Sequence, residues 1–190
     1  MFRNLLVTGL VAVLFSIGCA APRGKTVADK RSYVEDMRKT TLDLVEAKNP
    51  AVAAKAKSAA GYGVFSNIGF ALLIGGGGNG YGVVVDNKDG AKTYMRVIKG
   101  SLGLGLGLKE YKAVVIFDDP QTLNKFVTSG WDFGGEASAC ASTGKTGGDA
   151  QTSGSFDRGM EIYQYTDRGL YLRADVQAVK CYPDKKLNAG

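Results

Sequence analysis

The sequence contains no histidine at all. That removes the commonest general base and the commonest metal ligand. Cysteine is scarce, with only Cys19, Cys140 and Cys181. No nucleophile stands beside a visible activating group, and Asp119 of the Asp118-Asp119 pair fits a helix cap better than an acid/base role, so the sequence reads as non-enzymatic, with no cofactor. No lysine or arginine run forms a nucleic-acid tail, so nucleic acid is not an expected partner. The net charge of +6 is compatible with an acidic partner surface and equally with simple solubility.

Long apolar runs are also few. Leu5 to Ile17 is almost wholly apolar behind Arg3, which is signal-peptide length and short for a membrane span. It ends in Gly18-Cys19-Ala20. A cysteine directly after an apolar run and a small residue resembles a bacterial lipobox, where the cysteine becomes the first mature residue and carries the lipid. Ser16 departs from the leucine usual there. Ordinary cleavage after Ala21 would place Pro22 next to the cut, which signal peptidases dislike. The expectation is a lipoprotein signal peptide over residues 1–18, lipidation at Cys19, a tether over 19–26 and a single domain over 27–190. Ala20 is not the aspartate that often retains lipoproteins at the inner membrane. An outer-membrane lipoprotein of the bacterial cell envelope, facing the periplasm, is therefore expected. Cys140 and Cys181 remain as an even pair in an oxidising compartment, either as a disulfide or as two buried thiols.

What the chain has in abundance is glycine, 27 residues, about twice the usual share. Gly75-Gly76-Gly77-Gly78-Asn79-Gly80 fits G-x-G-x-x-G. That fingerprint cradles phosphates only when a strand precedes it and a helix follows it. Here "YGVVVDN" follows, a strand pattern running into a turn, so no nucleotide is expected. A tight strand bend or close backbone approach explains the glycines instead. In "GSLGLGLGL", Leu102, Leu104, Leu106 and Leu108 alternate with Gly103, Gly105 and Gly107. Such a strand either packs closely inside the fold or floors a shallow groove for an acyl chain or peptide. Ser142 to Gly147 overlaps S-x-x-K with K-T-G, which in penicillin-binding enzymes lie far apart, and reads as a polar loop.

Apolar periodicity places helices near 30–47, 50–59 and 120–129, with Asn49-Pro50 and Asp119-Pro120 as start signals. The segments "YGVFSNIG", "FALLIGG", "GYGVVVDN", "KTYMRVIKG", "GSLGLGLGL" and "YKAVVIFDD" read as separate strands joined by hairpin-sized connections, with more strands near the C-terminus. The expected fold is α+β: a largely antiparallel, glycine-rich sheet of about six or more strands, packed with N-terminal helices and one helix inserted near 120–129.

The order of "AKSAAGYGVFSNIG", "GGGGNGYGVVV", "GSLGLGLG", "VVIFDDPQTLNKF" and "GGEASACASTG", from about Ala54 to Cys181, resembles the SYLF domain family. Its members include bacterial lipoproteins and eukaryotic lipid- and actin-binding proteins. The family often carries a Trp-Ser-x-Pro-like segment where this chain has Thr93-Tyr94-Met95-Arg96. The resemblance implies a lipid- or envelope-surface-binding module. The expected partner is anionic membrane phospholipid, with Lys55 and Lys57 as its local contacts. The alternative is a structural envelope protein that contacts other envelope proteins.

Overall fold

The computed structural model describes residues 21–132, 151–156, 159–165 and 176–189. Cys19 and Cys140 lie outside them, so the lipidation site and one half of the expected cysteine pair are not described.

The helices form where caps and periodicity place them. α1 spans Val27–Lys48 and opens on a capping box. Thr26 Oγ1 accepts the Asp29 N–H at 3.0 Å, and the Asp29 carboxylate accepts the Thr26 N–H at 2.9 Å. Asn49 ends α1 and caps α2, Pro50–Ser58, with its side chain accepting the Val52 N–H.

The sheet differs from expectation in one respect. The six segments read as separate strands are two continuous ones. β1 is Gly61–Asp86 and β2 is Lys92–Phe117, 26 residues each. They pair antiparallel from Gly61↔Phe117 to Val85↔Lys92 with one register shift between Leu73 and Gly75. Gly75–Gly80 therefore lie inside a strand, opposite residues 97–102, and not at the head of a helix. Gly75–Gly80 stay paired residue by residue in this ladder, so glycine alone supplies no reason to break it.

A straight strand of 26 residues would be about 86 Å long. The ribbon is instead curled until its ends meet. The Asn87 N–H donates to Ala60 O at 3.1 Å, bonding the residue after β1 to the one before it. A methyl group on Gly82 would collide with the Phe65 ring and the Val64 carbonyl, 17 and 18 residues back along the same strand. The ribbon also turns over on the way. Tyr62 and Val64 face the helices while Phe65 enters the central core; further on, Tyr81 and Val83 face the helices while Val84 enters the core. The numbering parity of the inward face flips along β1, while β2 keeps Met95, Val97, Val115 and Phe117 all inward because the register shift gives it one extra residue. Twist accumulates faster in a two-stranded ribbon than in a wide sheet, which accounts for a half-turn over this length.

The rest of the sheet is laid against the outer edge of β2. β5, Met160–Tyr165, pairs with residues 112–117, and β6, Val176–Pro183, pairs with residues 95–102. β4, Gln151–Phe156, extends β5, while β3, Trp131–Asp132, extends β6. All pairings among the described residues are antiparallel, giving a six-stranded curled sheet in an α+β fold.

Three apolar clusters hold these layers. The central one joins Phe65, Val84, Met95, Val97, Val115 and Phe117 to α3, Pro120–Ser129, through Leu123 and Phe126. Phe126 is fully buried, its ring centroid 5.0 Å from that of Phe117 and 6.1 Å from that of Phe65. The other two clusters place α1 and α2 on the outer faces. Val45, Val52 and Ala56 pack on Tyr62, Val64 and Val85, and Val34 packs on Tyr81, Val83 and Tyr94. The short α4, Lys185–Asn188, closes the last cluster with Leu187.

Cys181 is buried in the central cluster and has no disulfide partner among the described residues. Burial pushes its pKa up to about 12, so it is not a thiolate nucleophile at neutral pH.

Candidate functional site

Lys55 and Lys57 stand two residues apart on α2, and the fold treats them differently. Lys55 turns toward the sheet. Its Nζ lies 2.7 Å from Glu161 Oε1 on β5 and 3.3 Å from Asp118 Oδ1 ahead of α3. The other oxygen of Glu161 accepts the Tyr163 hydroxyl at 2.7 Å. The bond to Glu161 raises Lys55 above the ordinary lysine value. Lys55 and Tyr163 together hold Glu161 below the usual carboxylate range. Burial, with Glu161 alongside, pushes Tyr163 up to about 12. The Lys55 charge is thus committed to fastening α2, β5 and the start of α3 together.

Lys57 points outward. Its Nζ rests 3.3 and 3.5 Å from the two oxygens of Glu46 on α1, and both side chains are well exposed. Exposed pairs of this kind are worth about 0–1 kcal/mol and exchange readily. Lys57 also lines a cleft of about 360 Å³ between the end of α2, the β1–β2 turn and Pro120. Lys88 of that turn lines the same cleft. The turn is pinned there by Asn87, whose Nδ2 donates to Ala56 O and Ala59 O at 2.9 Å each and so satisfies the open carbonyl end of α2. No local pattern marks Lys88; it joins Lys57 only because the turn docks on the helix.

A second charged group lies at the far side of α1. Glu35 Oε2 accepts from Arg38 at 3.0 Å and from Lys92 at 2.8 Å, and Arg38 also donates to the Tyr62 hydroxyl at 2.8 Å. Nearer the start of the helix, Arg31 donates from Nε to Leu187 O and from Nη2 to Ala189 O, each at 2.8 Å. Its guanidinium lies over the Tyr94 ring, 5.7 Å from the centroid. Asn188 completes this junction. Its carboxamide accepts the Tyr94 N–H at 2.9 Å and donates to Tyr94 O at 2.8 Å, as a neighbouring strand would.

Among the described residues no helix is long and apolar enough to cross a membrane. No group of three metal-ligating side chains is found there either.

The architecture is an α+β domain with a curled antiparallel ribbon as its spine, and its partly buried charges serve mainly to fasten one element to another. Residues 98–190 match the family model described as "Ysc84: Las17-binding protein actin regulator". The chain is 33% identical over 163 residues to Beta cell expansion factor A of Aeromonas veronii, a match covering 86% of this chain and 60% of that protein. The chain belongs to the Ysc84/SYLF family. It spans about 60% of the length of the curated relative it matches.

Proposed function

We propose that this chain is a lipid-anchored, non-catalytic binding domain of the bacterial cell envelope that holds anionic phospholipid at the periplasmic face of the outer membrane. Family membership carries the reading, since SYLF domains bind lipids in general. The charge balance supports it. Without residues 1–18 the chain loses only Arg3 among its charged side chains, leaving 23 Lys+Arg against 18 Asp+Glu, a net of +5. Each basic side chain near an anionic surface contributes about 1 kcal/mol, fading over a Debye length of about 8–10 Å. A few such contacts give weak binding by themselves, which suffices once an acyl chain on Cys19 makes the encounter intramolecular. Of the two lysines read from the sequence, Lys57 is the one able to reach a headgroup without breaking the network that fastens α2.

Two measurements test this. The chain beginning at residue 20 carries all three apolar clusters whole. It should sediment with phosphatidylethanolamine vesicles only when phosphatidylglycerol is present, and lose that binding as salt rises. No binding at low salt to any vesicle sinks the lipid reading and favours contact with envelope proteins. In cells, the full chain should incorporate labelled fatty acid and Cys19→Ala should not; incorporation by the variant refutes the anchor.

A further inference from the structure

Two basic regions compete for a lipid surface, and they lie at opposite ends of α1, a helix of 22 residues and therefore about 33 Å long. At its C-terminal end are Glu46, Lys57 and the cleft with Lys88. At its N-terminal end Arg31 holds the carbonyls of Leu187 and Ala189, beside the exposed Lys185 and Lys186.

Among the described residues, part of the outer face of the sheet at this second end has no element packed on it. Val97 and Cys181 enter the central core. The residues alternating with them therefore turn outward, and the register pairs them as Arg96↔Tyr182 and Ile98↔Lys180. α1 covers this face at Tyr81, Val83 and Tyr94. Beyond that, Arg96 is 48% exposed and Ile98 47% exposed. Among the described residues Ile98 and Val27, the first residue of α1, are the large hydrophobics left in solvent. The helix runs from Val45 over Val85 toward Tyr33 over Tyr81, so its N-terminal end points along β1 toward Asn79, the partner of Ile98. Two acids lie near this face: Asp184, 13% exposed and 3.8 Å from Arg96 Nε, with one oxygen spent on capping α4, and Asp132 of β3, the register partner of Lys180.

We propose that this face, with Arg96, Ile98, Lys180 and Tyr182 on the sheet and Lys185 and Lys186 at its edge, is where the domain lies on an anionic phospholipid surface. The assignment rests on the lipid-binding reading and adds the orientation. Cations at the rim suit headgroup phosphates, and an isolated aliphatic side chain with a tyrosine beside it suits the interface just below them. The tether agrees. The eight residues Cys19 to Thr26 reach at most about 29 Å and join α1 at this same end. An acylated Cys19 holds this end against the bilayer and leaves Lys57 and Lys88 a helix length away.

The test compares two double charge reversals of equal size in the chain beginning at residue 20, on phosphatidylglycerol-containing vesicles. Lys185→Glu with Lys186→Glu should weaken binding about 25-fold or more, taking about fivefold for each lysine removed from the surface. Lys57→Glu with Lys88→Glu should weaken it less than about threefold, the residual effect of net charge at that distance. Equal losses overturn the proposal, and so does a larger loss from the second pair, which would put the membrane-facing side at the end of α2. Absence of binding by the unaltered chain is a different failure, that of the lipid reading itself. A second measurement does not depend on charge. Ile98→Trp emission should shift to the blue on anionic vesicles and Lys88→Trp emission should not, with Trp131 common to both. An unshifted Ile98→Trp overturns the proposal even where a charge variant is unstable.

Discussion

Asn188 occupies the place of a missing strand residue. β6 stops pairing with β2 at Met95↔Pro183, one residue short of Tyr94; the Asn188 carboxamide supplies the acceptor for the Tyr94 N–H and, beside the Asp184 N–H, a second donor to Tyr94 O. Asn188→Ala takes the acceptor from the buried Tyr94 N–H, while Tyr94 O keeps the Asp184 N–H at 2.9 Å, and should lower unfolding stability by about 1–3 kcal/mol in denaturant titrations. Asn188→Asp, which keeps the acceptor and loses the donor, should fall between. The Lys55–Glu161 pair has a pH signature. Glu161 is depressed in the folded chain, so its contribution is whole above the ordinary glutamate value and is lost as pH falls through the depressed one. Lys55 is raised, so its contribution is whole below the ordinary lysine value and is lost as pH rises through the raised one. Glu161→Gln should therefore lower the thermal midpoint across the neutral range and converge with the parent in strong acid. The difference should not exceed about 1 kcal/mol, because the Lys55 side chain is 40% exposed. A midpoint difference that persists in strong acid would assign the effect to packing.

Among the elements, the helices were legible in the sequence and the long strands were not, for a physical reason. Asn49-Pro50 and Asp119-Pro120 are local signals, each satisfied by a side chain and a backbone group within three residues of one another. Continuity of a strand is not local. A glycine cluster reads the same whether the chain turns there or twists there, and only the distant partner strand decides. The same limit hid the site. Lys55 meets Glu161 across 106 positions and Arg31 meets Leu187 across 156, so no spacing rule could show that one lysine of the pair was already engaged. Gly82 shows what the curl demands. Because the Phe65 ring fills the space where its side chain would lie, Gly82→Val should destabilise the domain by about 1–3 kcal/mol, more where the ribbon cannot yield. Calorimetry on Gly82→Val beside Gly90→Ala, whose site has open space but a φ of +75°, separates crowding from backbone strain.

At the scale of the whole molecule, charge works inward as much as outward. Lys55, Arg38, Lys92 and Arg31 fasten helices to the sheet or to the C-terminal segment, so the net charge overstates what is offered to a surface. Vesicle binding should accordingly track the Arg96 to Lys186 end of the domain and not the total number of lysines. Lys39→Ala and Lys48→Ala, each removing an exposed lysine of α1, should bind within about twofold of the parent if patch geometry governs attraction at Debye-length range. A loss in proportion to charge number would show a diffuse cloud.

The bond between Ala60 and Asn87 also sets an order of events in time. The β1–β2 turn brings together residues only a few positions apart, whereas the far end of the same ladder joins Gly61 to Phe117. Zipping can start at the turn with a small loop to close, and each rung shortens the loop that remains. Curling can come only afterwards, since Asn87 must find the end of α2 after the ribbon exists to carry it there. Gly90→Ala should therefore slow refolding with little change in the unfolding rate. Asn87→Ala should do the reverse, speeding unfolding while refolding proceeds nearly as before. Stopped-flow chevrons of the two variants would show whether the clasp closes last.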